Sequence, residues 1–168
     1  MFGAQAAILH GAARLTADVD VTVELGGRSI GELVDALRAA GFAPRVADID
    51  TFAERSRVIP LVHEATTLPV DVVLAGPGLE QEFLEHAEER AIGDVRVPVA
   101  SAGDLIVMKV LAGRPKDLDD VVAVLRANID RIELGGVRAT LRALEQALAR
   151  ADLLPAFDRA LADAKRPA

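Results

Sequence analysis

Strict alternation marks the segment ADVDVTVEL, where Val19, Val21 and Val23 fall on one side and Asp18, Asp20 and Thr22 on the other. That period of two predicts a strand with an apolar and a polar face. Ahead of it, GAQAAILHGAA (Gly3 to Ala13) predicts a short helix ending near His10-Gly11. Behind it, Gly26-Gly27 predicts a turn, and Ser29 followed by Glu32 has the spacing of a capping box. The helix it opens, SIGELVDALRAAG, is expected to close at Gly41. DIDTFAERSR predicts a short helix or turn, and VIPLVHEA and LPVDVVLAG two strands. GLEQEFLEHAEER predicts an acidic helix, and GDVRVPVAS a short strand that Pro98 places at an edge or terminus.

From Ser101 the pattern turns helical. Ser101 is the expected N-cap of SAGDLIVMKVLAG, and Pro115 stands near the first position of RPKDLDDVVAVLRAN. Two further amphipathic helices are expected at Leu134–Arg150 and about Ala151–Lys165. The predicted fold class is α+β. A mixed sheet with flanking helices fills residues 1–100, and a helical region, 101–168, packs on that core as a cap.

Composition narrows the chemistry. The 168 residues are 51% hydrophobic but include no Trp, no Tyr and five Phe, so the core must be aliphatic. A formal charge of −7 argues against unspecific attraction to nucleic acid, although local basic surface is available. Sixteen of the 19 basic residues are Arg and only Lys109, Lys116 and Lys165 are Lys; with abundant Ala this suggests a GC-rich, bacterial genome. No cysteine is present, which excludes disulfides, thiolate metal sites and a Cys nucleophile. No apolar run reaches the roughly 18 residues of a membrane span, and no secretory signal is visible. A soluble cytoplasmic protein is expected.

The carboxylates then need an account. Asp18 and Asp20, two apart in a strand, project side by side and repel unless a cation or proton lies between them. They sit either as solvated charges at the strand's mouth or as a half-site for Mg²⁺, a hard cation that prefers carboxylate oxygen and keeps positions open for phosphate. Three features add weight to the second reading. Gly3 precedes a predicted helix, where backbone N–H groups can hold phosphate. Asp71 interrupts an otherwise apolar strand, and MKVLAGRPKDLDD sets Lys109, Arg114 and Lys116 close to Asp117 and Asp120.

In combination these segments resemble the nucleotidyltransferase superfamily that includes DNA polymerase β, and most of all the minimal AbiEii/AbiGii-toxin-like members. The resemblance rests on GAQAAILHGAARLTADVD and KVLAGRPKDLDD and covers roughly residues 2–125. It implies Asp18, Asp20 and Asp71 as catalytic residues and ligands of Mg²⁺, with an NTP as co-substrate. Asp71 would bind a second metal or act as base toward an acceptor hydroxyl. Gly3, Ala4, Arg14, Thr16, Lys109, Lys116 and Asp117 are the implied nucleotide-binding residues. The KDLDD segment would either contact the nucleotide or brace the helical cap against the site. The acceptor would be a tRNA, a protein or a small molecule, and the setting a type IV toxin–antitoxin or phage-defence system with a cognate antitoxin as partner.

Two departures from the resembled pattern stand out. Gly3-Ala4 replaces the usual Gly-Ser, so a hydroxyl contact to phosphate is lost. The family also carries a helix and a strand before that glycine, where this chain has Met1 and Phe2. The expectation is a sheet short of its first strand or a start placed upstream, with pairing between copies in a homo-oligomer as one consequence.

Elsewhere the residues read plainly. His10, His63 and His86 have no metal-ligand spacing and are expected to be structural or on the surface. AGPG (Ala75 to Gly78) lacks the Lys-Ser/Thr of a phosphate loop and reads as a turn. Lys109 could equally be a snorkelling lysine, and Arg114, Lys116, Asp117 and Asp120 an ordinary charge network. Two other functions are weighed against the active transferase: a catalytically silent relative that binds a nucleotide or a partner, and an antibiotic-modifying nucleotidyltransferase.

Overall fold

The computed structural model describes residues 1–166. Its α+β chain divides into two compact units, and the division runs through the first helix, α1 (Gly3–Leu9). One unit comprises Met1–Gln5 and Leu15–Val99; the other comprises Ala6–Arg14 and the described residues from Ala100 on. The helical region thus includes a segment from the chain's beginning, beyond the expected 101–168.

In the first unit, β1 (Val19–Val23), β2 (Phe42–Pro44), β3 (Val58–His63) and β4 (Leu68–Leu74) make a mixed sheet in the order β1-β4-β3-β2. β1 and β4 run parallel, while β4–β3 and β3–β2 are antiparallel. The alternation read from the sequence sets the faces. Val70, Val72 and Leu74 of β4 and Ile59 and Leu61 of β3 are buried with Val34 of α2 (Ile30–Ala39) and Ile49 and Ala53 of α3 (Ile49–Ser56). Val19, Val21 and Val23 pack on the same cluster. The other face therefore carries Asp20 and Thr22 of β1, Asp71 and Val73 of β4 and Pro60 of β3. Ser29 caps α2 in the predicted capping box with Glu32; both hydrogen bonds from Ser29 hold the Glu32 carboxyl below its ordinary value.

One element departs from expectation. The acidic helix α4 is only Leu79–Glu85, and Glu88–Ile92 is a strand, β5, paired antiparallel with β6 (Val95–Val99) across a two-residue turn at Gly93-Asp94. The run EERAI is exposed along its whole length, so it shows no buried face from which a period could be read. Both strands of this two-stranded sheet are edges, which suits Pro98.

The second unit holds α5 (Ala102–Ala112), α6 (Pro115–Asn128), α7 (Leu134–Leu148) and α8 (Leu153–Ala164), close to the predicted spans. α5 ends at Gly113, whose left-handed φ of 66° fits its role as C-cap, and Pro115 starts α6 almost at once. Gly11, at φ 100°, passes so close to α6 that an added Cβ would lie 2.6 Å from the Ala127 Cβ. His10 is buried, its Nε2 donating to the Ala100 carbonyl oxygen at 2.8 Å, as a structural histidine does. Ser101 caps α5 by accepting from the Asp104 amide at 3.1 Å. Ser101→Ala is expected to lower unfolding free energy by about 1 kcal/mol, read as an earlier urea midpoint with unchanged slope.

Candidate functional site

The site begins with register. Asp20 and Asp71 are direct partners across the parallel β1–β4 pair and share the face turned away from α2 and α3. Phe2 joins the outer edge of β1, donating its amide to the Asp20 carbonyl oxygen at 3.0 Å. That bridge brings Gly3 onto the Asp20 side chain. A Cβ on Gly3 would lie 1.9 Å from Asp20 Oδ2 and 2.7 Å from its Cγ, and Gly3 adopts φ 68°. Only glycine meets both conditions. Ala4, beside it, is buried. Asp18 lies just before β1, exposed, and accepts a hydrogen bond from the Thr16 hydroxyl.

One participant was absent from the sequence reading. Arg45, following β2, donates from its guanidinium to the Asp71 carboxylate. Its backbone amide also donates to the Pro60 carbonyl oxygen at 2.9 Å, and Pro60 is the register partner of Asp71. Arg45, Pro60, Asp71 and Asp20 thus make one cross-strand row. Strands lie about 4.8 Å apart, and the long arginine crosses the compact ring of Pro60 to reach β4. No sequence signal announces this, because it needs three registers at once.

The remaining expected residues gather in the other unit. The Lys109 ammonium is buried and paired with Asp117 Oδ1 at 3.0 Å and Asp120 Oδ2 at 2.7 Å. Arg14 donates to Asp120 Oδ2 at 2.7 Å, and Arg114 pairs with Asp117. Lys116 is exposed in the first turn of α6. Burial is the largest influence on Asp117 and pushes its carboxyl up, but hydrogen bonds and charge from Arg114 and Lys109 together hold it below its ordinary value. Asp117 and Asp120, three apart, present one face of α6 to the lysine of α5.

Asp18, Asp20 and Asp71 offer carboxylate oxygens, the donors that a hard divalent cation prefers. The side-chain positions do not yet assemble them. Asp71 is engaged by Arg45 and Asp18 by Thr16, and among the described residues no three His, Asp or Glu stand grouped for a metal ion. No helix among them is long and apolar enough to cross a membrane.

A mixed sheet with aspartates in register on one face, followed by helices, is the architecture expected from the sequence motifs. The family model agrees: residues 1–152 match that of the nucleotidyltransferases of unknown function (DUF6036), and the chain belongs to this family. No curated protein matches it.

Proposed function

We propose that this protein transfers a nucleotidyl group from an NTP to an acceptor, using Mg²⁺. The observation that carries the reading is the Asp20–Asp71 register pair, with Gly3 making room for the Asp20 carboxylate, in a chain of this family. Asp18, Asp20 and, through one of its two oxygens, Asp71 would hold the cation, which would supply neutralising charge on the triphosphate. Asp71 takes the proton from the acceptor hydroxyl, whose oxygen bonds to the α-phosphorus as the bond to the bridging oxygen breaks and pyrophosphate leaves. The acceptor is a tRNA, a protein or a small molecule, the last including an antibiotic. A cytoplasmic toxin's role, opposed by an antitoxin, is proposed on the motif resemblance alone. The buried ion pairs of Lys109 with Asp117 and Asp120 tie α5 to α6, and they support a structural role for this segment over contact with the nucleotide.

The silent, nucleotide- or partner-binding alternative draws on one observation, the lack of a ready three-residue cation cluster among the described residues. One assay separates the two. Purified protein receives Mg²⁺, each α-³²P-labelled NTP in turn, and total tRNA, lysate protein or aminoglycosides as acceptors. Label in one acceptor class, absent with Asp20→Asn, is the expected result. Absence of transfer to any acceptor favours the silent member.

A further inference from the structure

We propose that Arg45 is the resident counter-ion of Asp71, occupying that carboxylate until a divalent cation displaces it, so that the arginine sets the cation concentration at which the site forms. The inference rests on the nucleotidyl-transfer reading of the same carboxylates. Its own basis is the cross-strand row, in which the backbone ladder fixes the origin of the Arg45 side chain. The guanidinium then reaches across Pro60 to a carboxylate that directly faces Asp20. The guanidinium donates to Asp71 Oδ1, so a metal ion taking that oxygen competes with it for the lone pairs and is repelled by its charge. The Arg45 and Asp71 side chains keep 40% and 35% of their exposure, so the pair is hydrated and weak enough to exchange. Holding Asp71 in this way also relieves repulsion between the facing aspartates while no cation is present.

The test is a double-mutant cycle on cation binding, without nucleotide or turnover. Mn²⁺ alone is titrated, by electron paramagnetic resonance of the free ion, into the full chain, Arg45→Gln, Asp71→Asn and the double variant. An exposed pair of this kind predicts roughly two- to fivefold tighter Mn²⁺ binding by Arg45→Gln, and no tightening when Asp71→Asn is already present. Unchanged or weaker binding by Arg45→Gln overturns the counter-ion role and leaves the carboxylate site standing. Equal tightening in the Asp71→Asn background also overturns it, since a general charge effect then suffices. If no variant, including the unmodified chain, binds Mn²⁺ saturably, the carboxylate site itself fails and the counter-ion role with it.

Discussion

Gly3→Ala is expected to lower nucleotidyl transfer roughly 10- to 100-fold, the loss typical of a residue that positions a metal's ligand. The added methyl would meet the Asp20 carboxylate at 1.9 Å and crowd its Cγ and Cβ at 2.7 and 3.0 Å. Rotating the carboxylate tip alone does not clear all three atoms, so the whole side chain must leave its place opposite Asp71. The backbone adds strain, because φ 68° costs a residue with a Cβ roughly 1–2 kcal/mol. Circular dichroism of the variant should match that of the unmodified chain while transfer collapses. Full activity in Gly3→Ala would show that the Asp20 carboxylate has no need of its observed position.

The second large effect concerns stability. Lys109→Met removes the shared cation of Asp117 and Asp120, both almost wholly buried. Arg14 and Arg114 remain as partners, yet neither replaces an ammonium held between the two carboxylates. Leaving buried charge partly uncompensated typically costs about 3–5 kcal/mol, a large share of the roughly 5–15 kcal/mol that holds a domain folded. Urea denaturation should show the loss as a much earlier midpoint; a shift worth under about 1 kcal/mol would mean the network behaves as a surface pair.

The same network predicts a direction with pH. The Asp117 carboxyl lies lower in the folded protein than its ordinary value, so the folded state favours the charged form. Its contribution to stability is therefore complete above the unfolded value, near pH 4, and disappears as pH falls through the lower folded value. Urea midpoints measured from pH 7 downward should fall on the acid side, and Asp117→Asn should flatten that fall. An acid limb equally steep in the variant would assign it to other carboxylates.

What the sequence made legible follows from which forces leave a periodic trace. Alternation in ADVDVTVEL and LPVDVVLAG revealed both strands and singled out Asp20 and Asp71, because an aspartate breaks an aliphatic run visibly. Capping serines did the same for α2 and α5, and Pro115 at the first position did so for α6. β2, of three residues, was too short to show a period. β5 was hidden because its exposed, charged residues fit a helix face as well as a strand. Pairings across the sheet left no trace at all. Arg45 meets Asp71 over 26 positions, and Arg14 meets Asp120 over 106. For Lys109 the sequence supplied the partners but not the burial, so a phosphate contact and a snorkelling lysine looked alike, and the structure instead buries its ammonium between Asp117 and Asp120.

The most direct test of the central claim follows two labels in parallel reactions. Protein, Mg²⁺ and acceptor are incubated with the same NTP carrying ³²P at either the α or the γ phosphorus. Nucleotidyl transfer predicts α-label covalently on the acceptor and γ-label released in pyrophosphate, both abolished by Asp20→Asn. Transfer of the γ-label to the acceptor, or α-label transfer that survives Asp20→Asn, would contradict the assignment of these aspartates to nucleotidyl transfer.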